Sequence, residues 1–266
     1  MMTTKQMTTK KDQCTVVALY GLHTDSNALS HFHEELLQWF QRYGAGPDKM
    51  AIQGKGYTGK VGAFARTDSQ LRKRGFDDIE SIALFSMLAE GTIPVRDWRM
   101  TAEVALTPSC AVFAAHTSMV DEQGMLEIAR RAIAQLQPDY GLGYLRESRL
   151  GPAMYGMGVS YGINAFSGPE YDESVNISRW GDTAMPQHIY REGILRDIYP
   201  NNFLTEAQLA RSIEGVSLAS WIQQDSGRGS LAEFQDNVSL WSLNDSEIAY
   251  VREVLEKAGF IFNVQH

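Results

Sequence analysis

Gly158-Val159-Ser160-Tyr161-Gly162 spells G-x-S-x-G. In a nucleophile elbow that pattern turns a strand sharply into a helix and lifts a serine Oγ toward a base. Such a serine needs an acid and then a histidine in chain order. Asp172 or Asp182, followed by His188 or His266, are the residues available. The context fits poorly. Gly168-Pro169 interrupts the segment where the helix should form, His188 follows Ser160 by only 28 residues, and His266 ends the chain. Upstream there is no His-Gly-Gly pattern to build an oxyanion hole. Glycines packed in a hairpin account better for the spacing, and a serine hydrolase using Ser160 stands as the alternative reading.

Gly54-Lys55-Gly56-Tyr57-Thr58-Gly59 matches G-x-G-x-x-G, with Asp77 and Asp78 near the distance of a ribose-binding acid. The dinucleotide fingerprint requires a helix N-terminus directly after the glycines, where backbone N–H groups meet pyrophosphate. Val61 to Arg74 carries no sustained apolar stripe, and both acids precede a strand instead of ending one. A hairpin loop is the expectation. His31 and His33 lie two apart on a predicted helix, roughly 200° from one another, so they cannot share a metal. His33 and His23 read as surface or capping residues. Cys110 and His116 sit six apart on a predicted strand, about 20 Å when extended, and Cys110 reads as core. Neither a metal-ligating cluster nor a catalytic constellation emerges, so no catalytic residue, metal or cofactor is assigned and the chain is read as a non-enzyme.

What remains is surface chemistry. Glu170, Tyr171, Asp172 and Glu173, followed by Trp180 and Asp182, combine clustered acid with aromatics. Interfaces favour Tyr and Trp as anchors, and acidic rims speed the capture of basic partners. These six residues are the candidate partner-binding set. The alternative is a solvated acidic loop beside a tryptophan that packs in the core.

The elements that must position them follow from periodicity. Cys14–Leu22 is an apolar, β-prone run and reads as a buried strand. Asp25 or Ser26 caps a helix whose Leu29, Phe32, Leu36 and Phe40 form one stripe. Met50–Gln53 is short and extended, and Ile79–Leu88 is a strong strand. Thr101–Thr107 and Cys110–His116 form a hairpin around Pro108-Ser109. A helix over Asp121–Gln137 precedes a strand over Gly141–Glu147. Further on, Thr205/Gln208 and Asn244/Glu247 spell capping boxes, Val238–Leu243 is extended, and Phe260–Val264 reads as an edge or terminal strand. Strand, helix, strand thus occurs twice within the first 150 residues. The expected fold is α+β: two such units forming a mixed or antiparallel sheet with helices on one face, plus a C-terminal α+β extension. Residues 1–12 read as a flexible tail, 13–150 as the sheet region, and 151–266 as an acidic region packed on it as one globular unit.

The composition is that of a globular chain: 266 residues, 44% hydrophobic and 21% charged. A net charge of −8 argues against direct nucleic-acid binding, which needs a basic face. Residues 1–150 hold 17 basic and 17 acidic side chains, whereas 151–266 hold 7 and 15, so the whole excess lies in the second segment. Two cysteines make no disulfide framework. Met1–Gln13 is polar, without the apolar stretch of a secretory signal, and no run reaches the roughly 18 apolar residues of a spanning helix. A cytoplasmic protein without membrane contact is the expectation.

The segments Leu71–Met87 (LRKRGFDDIESIALFSM), Gly193–Leu209 (GILRDIYPNNFLTEAQL) and Gly215–Ile222 (GVSLASWI) bring in a resemblance. The first resembles immunity proteins of bacterial polymorphic-toxin and type VI secretion systems, in particular the immunity protein fifty-two family; the other two look like a recurring bacterial module without established chemistry. The resemblance implies an α+β fold and a partner toxin, typically a nuclease of restriction-endonuclease type. Together with the acidic second segment it implies an immunity protein that neutralises a cognate, basic toxin effector by occluding its active site or substrate groove. A secretion-system adaptor is the further alternative.

Overall fold

The computed structural model describes residues 13–44, 46–160 and 168–262, without the side chains of residues 169 and 170. The tail 1–12 lies outside the described residues. The first half contains β1 (Gln13–Tyr20), α1 (Ser26–Arg42), β2 (Lys49–Gly54), β3 (Gly62–Ala63), α2 (Phe64–Arg74), β4 (Ile79–Met87), β5 (Trp98–Leu106), β6 (Ser109–His116), α3 (Glu122–Leu136) and β7 (Tyr140–Glu147). Next come α4 (Pro152–Gly156), α5 (Pro169–Arg179), β8 (Asn201–Leu204), α6 (Glu206–Leu209), a small hairpin of β9 (Ser212–Ile213) and β10 (Val216–Ser217), α7 (Leu218–Gln223), β11 (Ser230–Gln235), β12 (Val238–Ser242) and α8 (Asp245–Lys257).

Ten strands form one sheet in the order β11-β12-β8-β7-β1-β6-β5-β4-β2-β3. Every pairing in it is antiparallel. The α+β class is as expected, but two details of the expectation are corrected. Helices cover both faces, and the C-terminal part does not merely extend the sheet region: β8, β12 and β11 continue the same sheet. The reason is visible in β1. Cys14, Val16, Ala18 and Tyr20 point to one face while Val17 and Leu19 point to the other, and all six are buried. A central strand that is apolar on both sides needs a layer on each. α1 and α3 provide the first, through Leu29, Phe32 and Phe40 and through Ile128, Ala132 and Leu136. The C-terminal half provides the second, with Trp180, Trp221, Trp241, Leu255 and Phe260.

Local signals explain four of the helix starts. Asp25 caps α1 by accepting from the Ala28 N–H at 2.8 Å, and Asp121 caps α3 through the Gly124 N–H at 2.8 Å. Both capping boxes form, at Thr205/Gln208 and Asn244/Glu247. Residues 64–74, expected to be irregular, are helical because α2 needs only Leu71 in the core. The expected strand at Phe260–Val264 reduces to one parallel bridge between Leu195 and Ile261, and residues 263–266 lie outside the described residues.

Candidate functional site

The acidic segment read from the sequence divides in the structure. Tyr171 is 46% exposed, and Asp172 and Asp182 are exposed. Glu173 is spoken for: both of its oxygens accept from the Arg146 guanidinium of β7, each at 2.9 Å. Arg146 also lies 4.1 Å over the Tyr155 ring. The pair therefore fastens α5 to the end of β7. Trp180 corrects the expectation: it is 1% exposed, edge-on to Tyr20 at 5.7 Å and to Phe262 at 5.6 Å. Its indole is needed to fill the second layer and is not presented to a partner. The side chain of Glu170 lies outside the described residues.

On the opposite face of the β7 end lies a cleft of about 980 Å³. Leu145 alternates with Arg146 along the strand and so faces the other way, where it is 58% exposed. With Val17, Met125 and Leu126 it lines the cleft with apolar surface. Two helices begin at the rim. Asp121 and Glu122 come from the start of α3, and Asp245 and Glu247 from the start of α8. Three of these carboxylates have local duties: Asp121 caps α3, Glu122 accepts from Asn201 Nδ2 at 2.9 Å, and Glu247 accepts from the Asn244 N–H at 2.8 Å. No lysine, arginine or histidine lines the cleft among the described residues. The sequence reading missed it, having taken Asn244 and Glu247 as a capping box and Asp121 only as the start of a helix. Pro200 was the signal available: it interrupts an otherwise strand-like run just where β8 stops pairing with β7.

The candidate catalytic patterns take other roles. Ser160 follows the short helix α4, not the strand of an elbow, and its Oγ is hydrogen-bonded to Ser174 Oγ. Gly158 has φ +71°, and a Cβ at Gly181 would stand 2.2 Å from the Gly158 carbonyl oxygen. These glycines let two backbones touch. Tyr161, Gly162 and His266 lie outside the described residues, and His188 Nδ1 pairs with the Tyr190 hydroxyl at 2.5 Å. Gly54-to-Gly59 forms the β2–β3 hairpin, with Asp78 in the turn before β4. His33 is corrected from surface to core: it is 1% exposed and its Nε2 meets Asp68 Oδ1 at 2.8 Å. Burial holds its imidazole below the usual range, against the raising influence of Asp68. Cys110 is buried as expected, and burial pushes its thiol up to about 12. Among the described residues no group of three or more His, Cys, Asp or Glu could hold a metal ion.

A buried cation stands behind the sheet. Arg196 is 7% exposed; its Nη1 donates to Tyr20 Oη at 3.0 Å and to the Tyr155 carbonyl at 2.8 Å, and its guanidinium lies 4.3 Å over the Tyr155 ring. Burial raises the Tyr20 phenol to about 12, so it remains a neutral acceptor. Carbonyl and ring faces thus solvate this charge.

No helix among the described residues is long and apolar enough to cross a membrane. No family model and no curated protein matches the chain. A chain in the structure of the toxic C-terminal tip of CdiA from Pseudomonas aeruginosa in complex with immune protein aligns at 13% identity over 52% of this chain and 88% of that one, with a TM-score of only 0.26. The T6SS protein PA0821 of Pseudomonas aeruginosa aligns over 94% of this chain and 73% of its own, at 12% identity and a TM-score of 0.57. At that identity the likeness establishes a shared fold: this chain is built like a protein of a type VI secretion system.

Proposed function

We propose that this chain is a cytoplasmic immunity protein, acting by binding and not by catalysis. It neutralises a cognate secreted toxin by covering the toxin's active site or substrate groove. The observation that carries the reading is the acidic surface at the β7 end. Asp172 and Asp182 stand exposed on one face of the sheet, and a cleft lined by four carboxylates and, among the described residues, by no cation opens on the other. A nuclease must be basic where it holds phosphates, so a nuclease toxin is the partner best suited to this surface. Acid at the rim would serve chiefly to speed and orient capture, while apolar surface such as Leu145 supplies contact area. The fold shared with a T6SS protein supports that setting.

The test is co-expression with the product of the neighbouring gene. A stable complex, and protection of cells that express that product, are expected, with association slowing as salt rises. The absence of both a complex and protection would overturn the reading. Covalent labelling of Ser160 by a fluorophosphonate, lost in Ser160→Ala, would replace it with the hydrolase.

A further inference from the structure

The outer edge of β7 is left open by its neighbour. β7 runs to Glu147, yet β8 pairs with it only from Tyr140↔Leu204 to Gly143↔Asn201. The next position of the register sets Tyr144 against Pro200, which has no N–H to donate and ends the ladder. Tyr144–Glu147 therefore has no strand on that side among the described residues. This open edge borders the cleft, whose lining includes Tyr144, Leu145 and Pro200.

Three features describe the occupant. An unpaired strand end offers backbone donors and acceptors in register, which an extended chain satisfies by adding a strand. Leu145, 58% exposed, offers apolar contact to alternate side chains of such a strand. The rim carries Asp121, Glu122, Asp245 and Glu247. The N-termini of α3 and α8 offset these with roughly half a positive charge each, so the rim remains at about −3. A volume of about 980 Å³ exceeds what one side chain fills and lies at the upper end of small-ligand sites, ~300–1,000 Å³.

We propose that the end of β7 and its cleft receive an extended, basic segment of the partner protein, with apolar and cationic residues alternating, as an added strand. The proposal rests on the partner-binding reading above and names the site and the partner's chemistry.

The probe is the peptide acetyl-Arg-Val-Arg-Val-Arg-Val-amide, fluorescently labelled and titrated against the full chain. Binding is expected to weaken at least tenfold in Leu145→Arg, which alters an exposed side chain, and in the double variant Glu122→Gln/Asp245→Asn. The peptide with alternate amides N-methylated should bind at least tenfold more weakly, and the corresponding Glu-Val peptide should not bind. Hydrogen exchange should slow at one alternate pair of amides within Tyr144–Glu147 when the basic peptide is present. Unchanged binding in Leu145→Arg overturns the site, and undiminished binding of the N-methylated peptide overturns strand addition. The neutraliser reading is decided separately. If wild type and Leu145→Arg both capture and block the neighbouring gene product equally, only the cleft proposal fails; if wild type captures nothing, the neutraliser reading fails whatever the peptide does.

Discussion

Glu103 makes the stability of this protein depend on pH in an unusual direction. It sits in the middle of β5, paired with Ala83 and Val112, on the face that the C-terminal half covers. Burial raises its carboxyl from 4.5 to about 7. The folded chain therefore keeps this proton up to about pH 7, whereas the unfolded chain releases it near 4.5. Between those values the folded state binds more protons, so stability falls as pH rises; the loss is absent below 4.5 and complete above 7. A gap of that width corresponds to about 3 kcal/mol at ~1.4 kcal/mol per pH unit. The side chain is only partly sealed from solvent, which trims the expectation to about 2–3 kcal/mol. Glu103→Gln keeps the shape and removes the ionisation. Urea unfolding of both proteins at pH 5 and pH 8.5 should show the variant gaining about 2–3 kcal/mol on the wild type across that interval, or about 5–8 °C in Tm. Parallel stabilities, or a wild type that gains on the variant as pH rises, would refute the argument, because either outcome requires the carboxylate to have a favourable partner.

Trp180→Ala should cost about 3–5 kcal/mol by emptying the core beneath α5, whereas Tyr171→Ala should change stability by less than about 0.5 kcal/mol; urea midpoints separate the core residue from the surface one. Arg196→Lys keeps the charge but loses the planar guanidinium that stacks on Tyr155 and places Nη1 between Tyr20 and the Tyr155 carbonyl, and should cost about 2–3 kcal/mol by the same measurement. Asp25→Ala removes the α1 cap and should cost about 1 kcal/mol, with added fraying of the first turn visible in amide exchange at Ala28.

Elements governed by local chemistry were readable. Asp25, Asp121 and Asn244 with Glu247 mark helix starts because a short side chain satisfies orphan N–H groups within three residues, and that contact needs nothing distant. The apolar stripe of α1 was equally plain. What periodicity could not supply was the second layer. The β1 run is buried on both sides, and such a run signals cover on two faces without saying which residues provide it. Trp180 shows the same limit: beside Asp182 and Arg179 it resembles an interface anchor, and only the approach of Tyr20 and Phe262 makes it core. α2 was missed for the opposite reason, since a helix that buries Leu71 alone has almost no stripe to display.

The cleft was hidden because three of its four carboxylates had a sufficient local explanation. A cap contributes to helix stability whether or not anything docks against it, so Asp121 and Glu247 drew no attention as binding residues. Their convergence depends on β8 and β12 placing the start of α8 across the same cleft as the start of α3, which brings together residues more than 100 positions apart. The charge count pointed the same way for an incomplete reason. It assigned the acidic surface to residues 151–266, where 15 acids face 7 bases, yet half of the rim belongs to the neutral first segment. A segment's net charge is a sum over all its surfaces, and a partner meets only one of them. In the cleft beside β7 two helix starts supply four carboxylates next to a proline that halts a strand, and no lysine, arginine or histidine lines it among the described residues.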